Sequence, residues 1–317
     1  MRVVAIAGVL LLVASPAAAQ RFSFRRDLPV QPNAVVEVIT TNGAVEVMAG
    51  GADTVEVEGT VTVKIGLNVP VNAVSLAQGV AKDPPIEATR DRVLLTIPAD
   101  DDARRATTVS DILRVPSSSL VNVRTASGTV KVRAFPGKAT LVTQSAALDI
   151  EDVGETTLRT GSGHVRVRGA GPLTVETQSS EIDVTGVRDA LHARTGSGRV
   201  LASLVKGAGA DIRTQSSAIT VTGASAALAL ESSSGQVEVS GAPTADWQIT
   251  NGSGRILVSL SPAASCQLDA RSSSGRVKAP GVTGAGTDDR HVVGAVGQGG
   301  PTLRLVTRSS SIEVTHD

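Results

Sequence analysis

A unit of about eighteen residues recurs along this chain, and few folds can accommodate it. The aliphatic residue that follows each small-residue turn is Val130, Leu148, Val165, Ile182, Val200, Ile219, Val237, Ile256, Val277 and Ile312, at spacings of 18, 17, 17, 18, 19, 18, 19, 21 and 35. Such a period marks a stack of supersecondary units, each too small to bury its own apolar face. The wide last gap has room for one irregular unit, the Gly-rich HVVGAVGQGG at residues 291–300, and an earlier relative, TTNGAVEV, lies at residues 40–47.

Aligned on these anchors, the units share columns. Two residues after the anchor stand Val132, Ile150, Val167, Val184, Ala202, Val221, Val239, Val258, Ala279 and Val314; seven before it stand Val123, Leu141, Leu158, Val175, Ala193, Ile212, Leu230, Ile249, Ala270 and Leu305. The residue between the anchor and the second aliphatic is usually polar, as at Lys131, Asp149, Arg166, Asp183 and Glu238. Alternation of period two makes each stretch a strand with one wet face. Each unit therefore carries two short strands joined by a corner.

The corner has its own columns. Five before the anchor lies Thr, Ser or Asn in every unit, and three before it lies Ser in all ten, from Ser127 to Ser309. The next residue is Gly or small: Gly128, Ala146, Gly163, Ser180, Gly198, Ser217, Gly235, Gly254, Gly275 and Ser310. Glycine allows a sharp bend, and a hydroxyl both donates and accepts hydrogen bonds. Like residues stack on like only if successive units lie in parallel register, so the expected fold is all-β: a single-chain parallel β-helix, or solenoid, with about 17–21 residues per coil. Parallel crossovers favour the right-handed form. Ten or eleven coils about 4.8 Å apart make a rod roughly 45 to 55 Å long.

Composition agrees with a narrow tube. The chain has no Tyr, one Trp (Trp247) and three Phe (Phe22, Phe24, Phe135), so the core is expected to be aliphatic. Thirty basic and thirty acidic residues cancel. That balance offers no concentrated basic surface, and nucleic acid is excluded as a partner class. The opening MRVVAIAGVLLLVASPAAAQ has a basic start, an apolar run from Val3 to Ala14, and small residues at Ala17 and Ala19. It reads as a signal peptide over residues 1–20, cleaved after Ala19 or Gln20, leaving no transmembrane segment in the mature chain. Cys266 is the only cysteine and forms no internal disulfide; it reads as a small buried thiol.

Residues 21–120 are less regular but continuous with the coils of residues 121–317. Ala34–Lys64 reads as three or four strands, NAVSLAQGVAKDPP from Asn72 as a short helix ended by prolines, and IEATRDRVLLTIP from Ile86 as strands again. ADDDARRATTVSD from Ala99 reads as an exposed loop, after which ILRVPSSSLVNVRTASGTVKV enters the regular stack.

The order DILRVPSSSLVNVRTASGTVKV, then recurrent SG-x-V turns, then a terminal GQGGPTLRLVTRSSSIEV resembles the bacterial putative-adhesin family, domain of unknown function 4097, over residues 35–317. The resemblance implies an exported or envelope-associated β-helical protein without a shared catalytic motif. Several turns read QSS where the family commonly has SG.

No catalytic, cofactor-binding or metal-binding set emerges from the residue types. Asp100, Asp101 and Asp102 form a carboxylate run without EF-hand or Gly-Gly-x-Gly-x-Asp spacing. His164, His192, His291 and His316 are far apart in sequence, although His164 and His192 are expected on outward columns of neighbouring coils. Ser162 in TGSGH belongs to the serine column and lacks the strand-to-helix context of a nucleophile elbow.

The outward strip Arg124, Arg159, Arg194, Arg213 and Arg271, with Glu176 and Glu231 in the same column, is the candidate interaction surface. The leading reading is a non-enzymatic exported β-helical scaffold, adhesin-like, that meets an envelope or surface component from the periplasm, the outer membrane or outside the cell. A polysaccharide lyase or hydrolase on the same fold is the enzymatic alternative. End-to-end self-association through free strand edges is a third reading.

Overall fold

The computed structural model describes residues 20–316. The leader read at residues 1–20 therefore lies, Gln20 apart, outside the described residues. The chain runs β1 (Arg21–Pro29), β2 (Val35–Ala49), β3 (Thr54–Val63), α1 (Ala73–Lys82), β4 (Ile86–Ala88), β5 (Arg92–Leu95), α2 (Asp101–Ala106), β6 (Thr107–Val115) and β7 (Leu120–Phe135). Short strands then alternate between two walls. The first wall takes β8 (Lys138–Thr143), β10 (Thr156–Thr160), β12 (Leu173–Thr177), β14 (Ala190–Thr195), β16 (Gly209–Thr214), β18 (Leu228–Ser232), β20 (Trp247–Asn251), β22 (Cys266–Ser272) and β26 (Thr302–Thr307). The second takes β9 (Ala147–Val153), β11 (Val165–Ala170), β13 (Ile182–Val187), β15 (Val200–Leu204), β17 (Ile219–Ala224), β19 (Val237–Gly241), β21 (Ile256–Leu260), β23 (Val277–Lys278) and β27 (Ile312–His316). A hairpin, β24 (Thr283–Asp288) and β25 (His291–Val296), interrupts the sequence before β26.

Pairing within each wall is parallel and follows the sequence columns. Val130 lies opposite Leu148, Leu148 opposite Val165, Val165 opposite Ile182, and so on to Val237 and Ile256. The earlier relative in β2 joins in register, Val45 beside Val130 and Gly43 beside Gly128. Both aliphatic columns, Ala279 only partly, are buried and merge into one hydrophobic cluster that runs the length of the stack. Each fully buried Val, Leu or Ile contributes about 1.5 to 3 kcal/mol. The expectation of an all-aliphatic interior needs amendment: Trp247 and Phe135 are fully buried and Phe24 nearly so. Trp247 fits because it follows Ala210 and Leu228 in the Leu173–Leu191 column, and its indole N–H donates to the Ala226 carbonyl at 2.9 Å.

The corner residues divide into two roles. The threonine column turns inward. Thr125, Thr143, Thr160, Thr195 and Thr214 are buried, and Thr143 Oγ1 donates to Thr160 Oγ1 at 2.9 Å, one coil to the next. Most of the serine column faces solvent, with hydroxyl contacts such as Ser162 to Ser145 at 3.4 Å. The glycine at the corner answers a close approach. A Cβ on Gly163 would lie 2.3 Å from the Ala146 carbonyl oxygen at φ +122°, and one on Gly198 would lie 1.6 Å from that of Ser180. The clash is with the backbone of the neighbouring coil, so glycine is needed there whether that coil carries a larger residue, as at Ala146 and Ser180, or another glycine, as Gly235 beneath Gly254.

At both ends the order in space departs from the order in sequence. At the carboxyl end β27 pairs with β21 on one side and β23 on the other, and β26 lies between β20 and β22. The final coil is thus inserted beneath the coil that precedes it in the chain. HVVGAVGQGG supplies no parallel coil; β25 lies antiparallel on β22 and covers its edge.

At the amino end β5 and β6 form the outermost parallel coil, beside β2, whereas β7 pairs with the opposite side of β2. ILRVP therefore belongs to the end coil and does not lead directly into the stack. Beyond β6 the pairing turns antiparallel through β3 to β1, and β4 does the same beyond β5. Helix α1 packs on β3 and β1, with Ala73, Ala77 and Val80 buried at spacings of four and three.

The segment read as a loop at Ala99 contains α2. Asp100 caps it by accepting from the Ala103 N–H at 2.8 Å, and Asp101 and Asp102 pair with Arg104 and Arg105 one turn on.

Candidate outer-face binding site

Register brings the predicted arginine strip onto a single outward row of the first wall. Along it Arg159, Glu176, Arg194, Arg213 and Glu231 stand side by side on five successive coils. At about 4.8 Å per strand this run is roughly 19 Å long. The other two arginines fall outside it. Val142 separates Arg124 from Arg159, while Thr250 and Val306 separate Glu231 from Arg271. The insertion of β26 thus pushes Arg271 one coil further away than sequence order implies.

Within the run, most charges are already engaged. Arg159 Nε meets Glu176 Oε2 at 2.9 Å, and Arg213 Nε meets Asp211 at 3.1 Å and Glu231 at 3.8 Å. These pairs are roughly half-exposed and contribute at most about 1 kcal/mol each. Arg194, between Glu176 and Arg213, is exposed and has no carboxylate within 4 Å among the described residues.

Two shallow troughs open on this part of the wall, one of them lined by Arg194. One, of about 500 Å³, is lined by Glu176, Arg194, Arg213, Gln215 and Glu231. The other, of about 410 Å³, crosses the same strands β14, β16 and β18 nearer their amino ends. Its floor is Ala190, Gly209, Ala227 and Ala229, and His192, Asp211, Asp246 and Gln248 stand around it. Small residues recur here because they sit where each strand enters the wall. The result is a shallow apolar patch rimmed by hydrogen-bonding groups, on the same strands as the trough that holds the Arg194 guanidinium. Sequence columns located the arginines, while the trough was hidden because its floor comes from residues at and near the strand starts, which vary between units.

The histidines do not assemble. His164 lies at a corner beside Glu181, its Nδ1 4.0 Å from the carboxylate, whereas His192 lies on the first wall between Thr174 and Asp211. The two do not share a face, because the coil turns between their positions. His291 Nε2 contacts Asp269 Oδ1 at 2.9 Å and ties β25 to β22. Among the described residues no group of three or more His, Cys, Asp or Glu side chains converges to hold a metal ion. Asp100 to Asp102 serve α2.

One carboxylate is out of place. Asp111 on β6 occupies the anchor column, opposite Val45, and is 7% exposed. Burial, with no compensating partner, pushes its carboxyl up to about 7. It borders a crevice of about 30 Å³ with Thr40, Asn42, Thr96, Thr107 and Arg104. The Arg104 guanidinium donates instead to the carbonyls of Pro98 and Ala99 and pairs with Asp101.

Among the described residues, no helix is long and apolar enough to cross a membrane.

A family model described as Toastrack DUF4097 matches residues 36–315. No curated protein matches the chain. Among solved structures, it is similar to a "putative adhesin" from Bacteroides fragilis NCTC 9343, at 12% identity and a TM-score of 0.33, covering 93% of this chain and 97% of that one. A "putative adhesin" from Parabacteroides distasonis ATCC 8503 matches at 11% identity and a TM-score of 0.28, covering 93% and 97%. A "putative cell adhesion protein" from Clostridium sporogenes ATCC 15579 matches at 7% identity and a TM-score of 0.22, covering 93% and 100%.

Proposed function

The chain belongs to the Toastrack DUF4097 family, and from that premise we propose that it is an exported, non-catalytic, adhesin-like scaffold whose first wall binds an acidic polysaccharide of the envelope or of a neighbouring surface. Export is read from the leader at residues 1–20. Behind it, residues 21–120 and 121–317 are taken as one unit of right-handed coils, the sense that parallel crossovers favour.

The observation that carries the reading is the position of Arg194. Its neighbours along the row are paired, so it alone in the run Arg159–Glu231 offers an unengaged cation to a ligand. A uronate carboxylate matches the planar donor fork of a guanidinium. A neighbouring ring of the polymer would lay its apolar face on the adjoining trough, whose lining includes Ala190, Gly209 and Ala229 with Asp211 and Gln248. Because coils repeat at a fixed rise, a polymer can lie along the stack and gain from several weak contacts at once.

The test is retention of the purified chain on isolated envelope and on immobilised polygalacturonate, with product analysis in the same tubes. Retention that falls with salt and is lost in Arg194→Glu supports the reading. Retention unaffected by Arg194→Glu overturns the site, and release of cleaved polymer overturns the non-catalytic assignment.

A further inference from the structure

The three most exposed aliphatic side chains among the described residues lie within seven positions of one another. Ile65 is 74% exposed and Leu67 and Val71 are fully so, all on the loop that joins β3 to α1 at the amino end of the rod. Val74, in the first turn of α1, adds a fourth at 39%. Elsewhere the large exposed aliphatics are scattered singly, as folded proteins tolerate. A concentrated set marks an interaction site.

This loop is held at its base. The Lys64 N–H donates to the Ala106 carbonyl at 2.8 Å and its Nζ to the Arg104 carbonyl at 2.9 Å. Further along, Val69 N–H donates to Gly66 and Ala73 N–H to Pro70. The backbone is thus pinned to α2 while Leu67 and Val71 stand clear of the protein. Partial burial beside α2 lowers the Lys64 pKa.

A second observation identifies the surface that this loop meets. The Val63 N–H donates to the Gln20 carbonyl at 2.9 Å, so the chain enters the solenoid at the foot of the loop. The residues before Gln20 contain the apolar run Val3–Ala14, read as the segment that engages the membrane during export. The end of the rod that carries Ile65, Leu67 and Val71 is therefore the end delivered against lipid.

We propose that the 64–72 loop is a membrane-docking tip. It inserts Ile65, Leu67 and Val71 among the acyl chains at the bilayer surface and stands the rod on its amino end, leaving the first wall free along its side. The lipid contact follows the logic of interfacial anchors, in which a few apolar side chains enter the headgroup boundary without spanning it. This inference rests on the export reading but is independent of the Arg194 site.

The experiment is flotation with vesicles of phosphatidylethanolamine and phosphatidylglycerol at 3:1, using the chain from Gln20, which carries every described element and lacks the leader. The expected result is co-flotation, reduced at least tenfold in Ile65→Ser/Leu67→Ser/Val71→Ser, with the buried-Trp247 emission unchanged as the mark of an intact fold. In parallel, Leu67→Trp is expected to gain a blue-shifted emission on vesicles that brominated lipid quenches. Arg194→Glu is expected to float like the parent chain, which separates this surface from the polysaccharide site. Parent chain remaining at the bottom, equal flotation of the triple variant, or a loop-dependent dimer that ignores vesicles would each overturn the proposal.

Discussion

Ile256 and Ile312 are 56 positions apart and lie directly opposite one another on adjacent parallel strands. Val277, which falls between them in the chain, sits on the far side of Ile312. Three coils are therefore stacked in the order first, third, second.

A cross-link can read this order directly. The hydroxyls of Ser259 and Thr315 are 3.4 Å apart, a separation that suits neighbouring side chains for a disulfide. Ser259→Cys with Thr315→Cys is expected to oxidise readily, and Ser259→Cys with Pro280→Cys to stay reduced. The reverse pattern on non-reducing gels would restore the sequence order.

The alternation of wet and dry positions is tested at one strand. Val165 is fully buried, and Val165→Asp places a charge without a partner in the tube. A loss of about 4 kcal/mol or more is expected. Arg166 faces solvent beside Asp149 and Asp183. Arg166→Asp is expected to cost about 1 kcal/mol through like-charge repulsion. Urea unfolding followed by Trp247 fluorescence measures both, and equal losses would contradict the assigned faces.

Asp111 makes stability depend on pH. Its carboxyl in the fold titrates at about 7 against an ordinary 3.8, so the folded chain keeps a proton that the unfolded chain releases. The contribution of Asp111 is then most favourable below about pH 4, declines as pH rises toward 7, and levels off above it. The span corresponds to roughly 4 kcal/mol at most. Asp111→Asn is expected to change little at pH 4 and to stabilise the chain at pH 8. Stabilisation of the same size at both pH values would show that the charge is not the cause.

The carboxyl-terminal hairpin is predicted to keep the rod from growing. β25 covers the edge of β22, and the Arg290 and Asp289 carbonyls accept from the Ser272 and Val277 N–H groups. Replacing residues 283–296 with a short Gly-Ser linker bares that edge. Sedimentation velocity is expected to show concentration-dependent association of the variant and a single species for the parent. A variant that stays monomeric at all concentrations would locate the safeguard elsewhere.

The middle of the fold was legible because every coil repeats the same chemistry. Val165, Ile182 and Val200 stand at matching places in successive repeats, and their strands pair in that register. The ends were not legible for the same reason: identical coils carry no label for their neighbours. One trace of the insertion does survive in the corner column. In sequence order it ends Gly254, Gly275, Ser310, but in space Ser310 lies between the two glycines. A Cβ on Gly275 would lie 2.0 Å from the Ser310 carbonyl oxygen. The arginine row was partly legible, since alternation placed Arg159, Arg194 and Arg213 outward. Which of them is free depends on rotamers and on Asp211 from the neighbouring row, which no column reveals. Asp111 was missed because β6 follows an irregular excursion that breaks the count of positions.

The slot occupied by β26 and β27 bears on how the protein is made. A chain that arrives amino end first can lay its coils from β7 to β21 one upon another as they appear. The next berth, however, is reserved for Thr302–His316, the last part to arrive. Until then β22 has only the hairpin strand β25 beside it, β23 lacks its parallel partner, and the tube stays open. A product truncated within its final coil would therefore lose the keystone of that end as well as its own two strands, so that only a chain translated in full can shut itself.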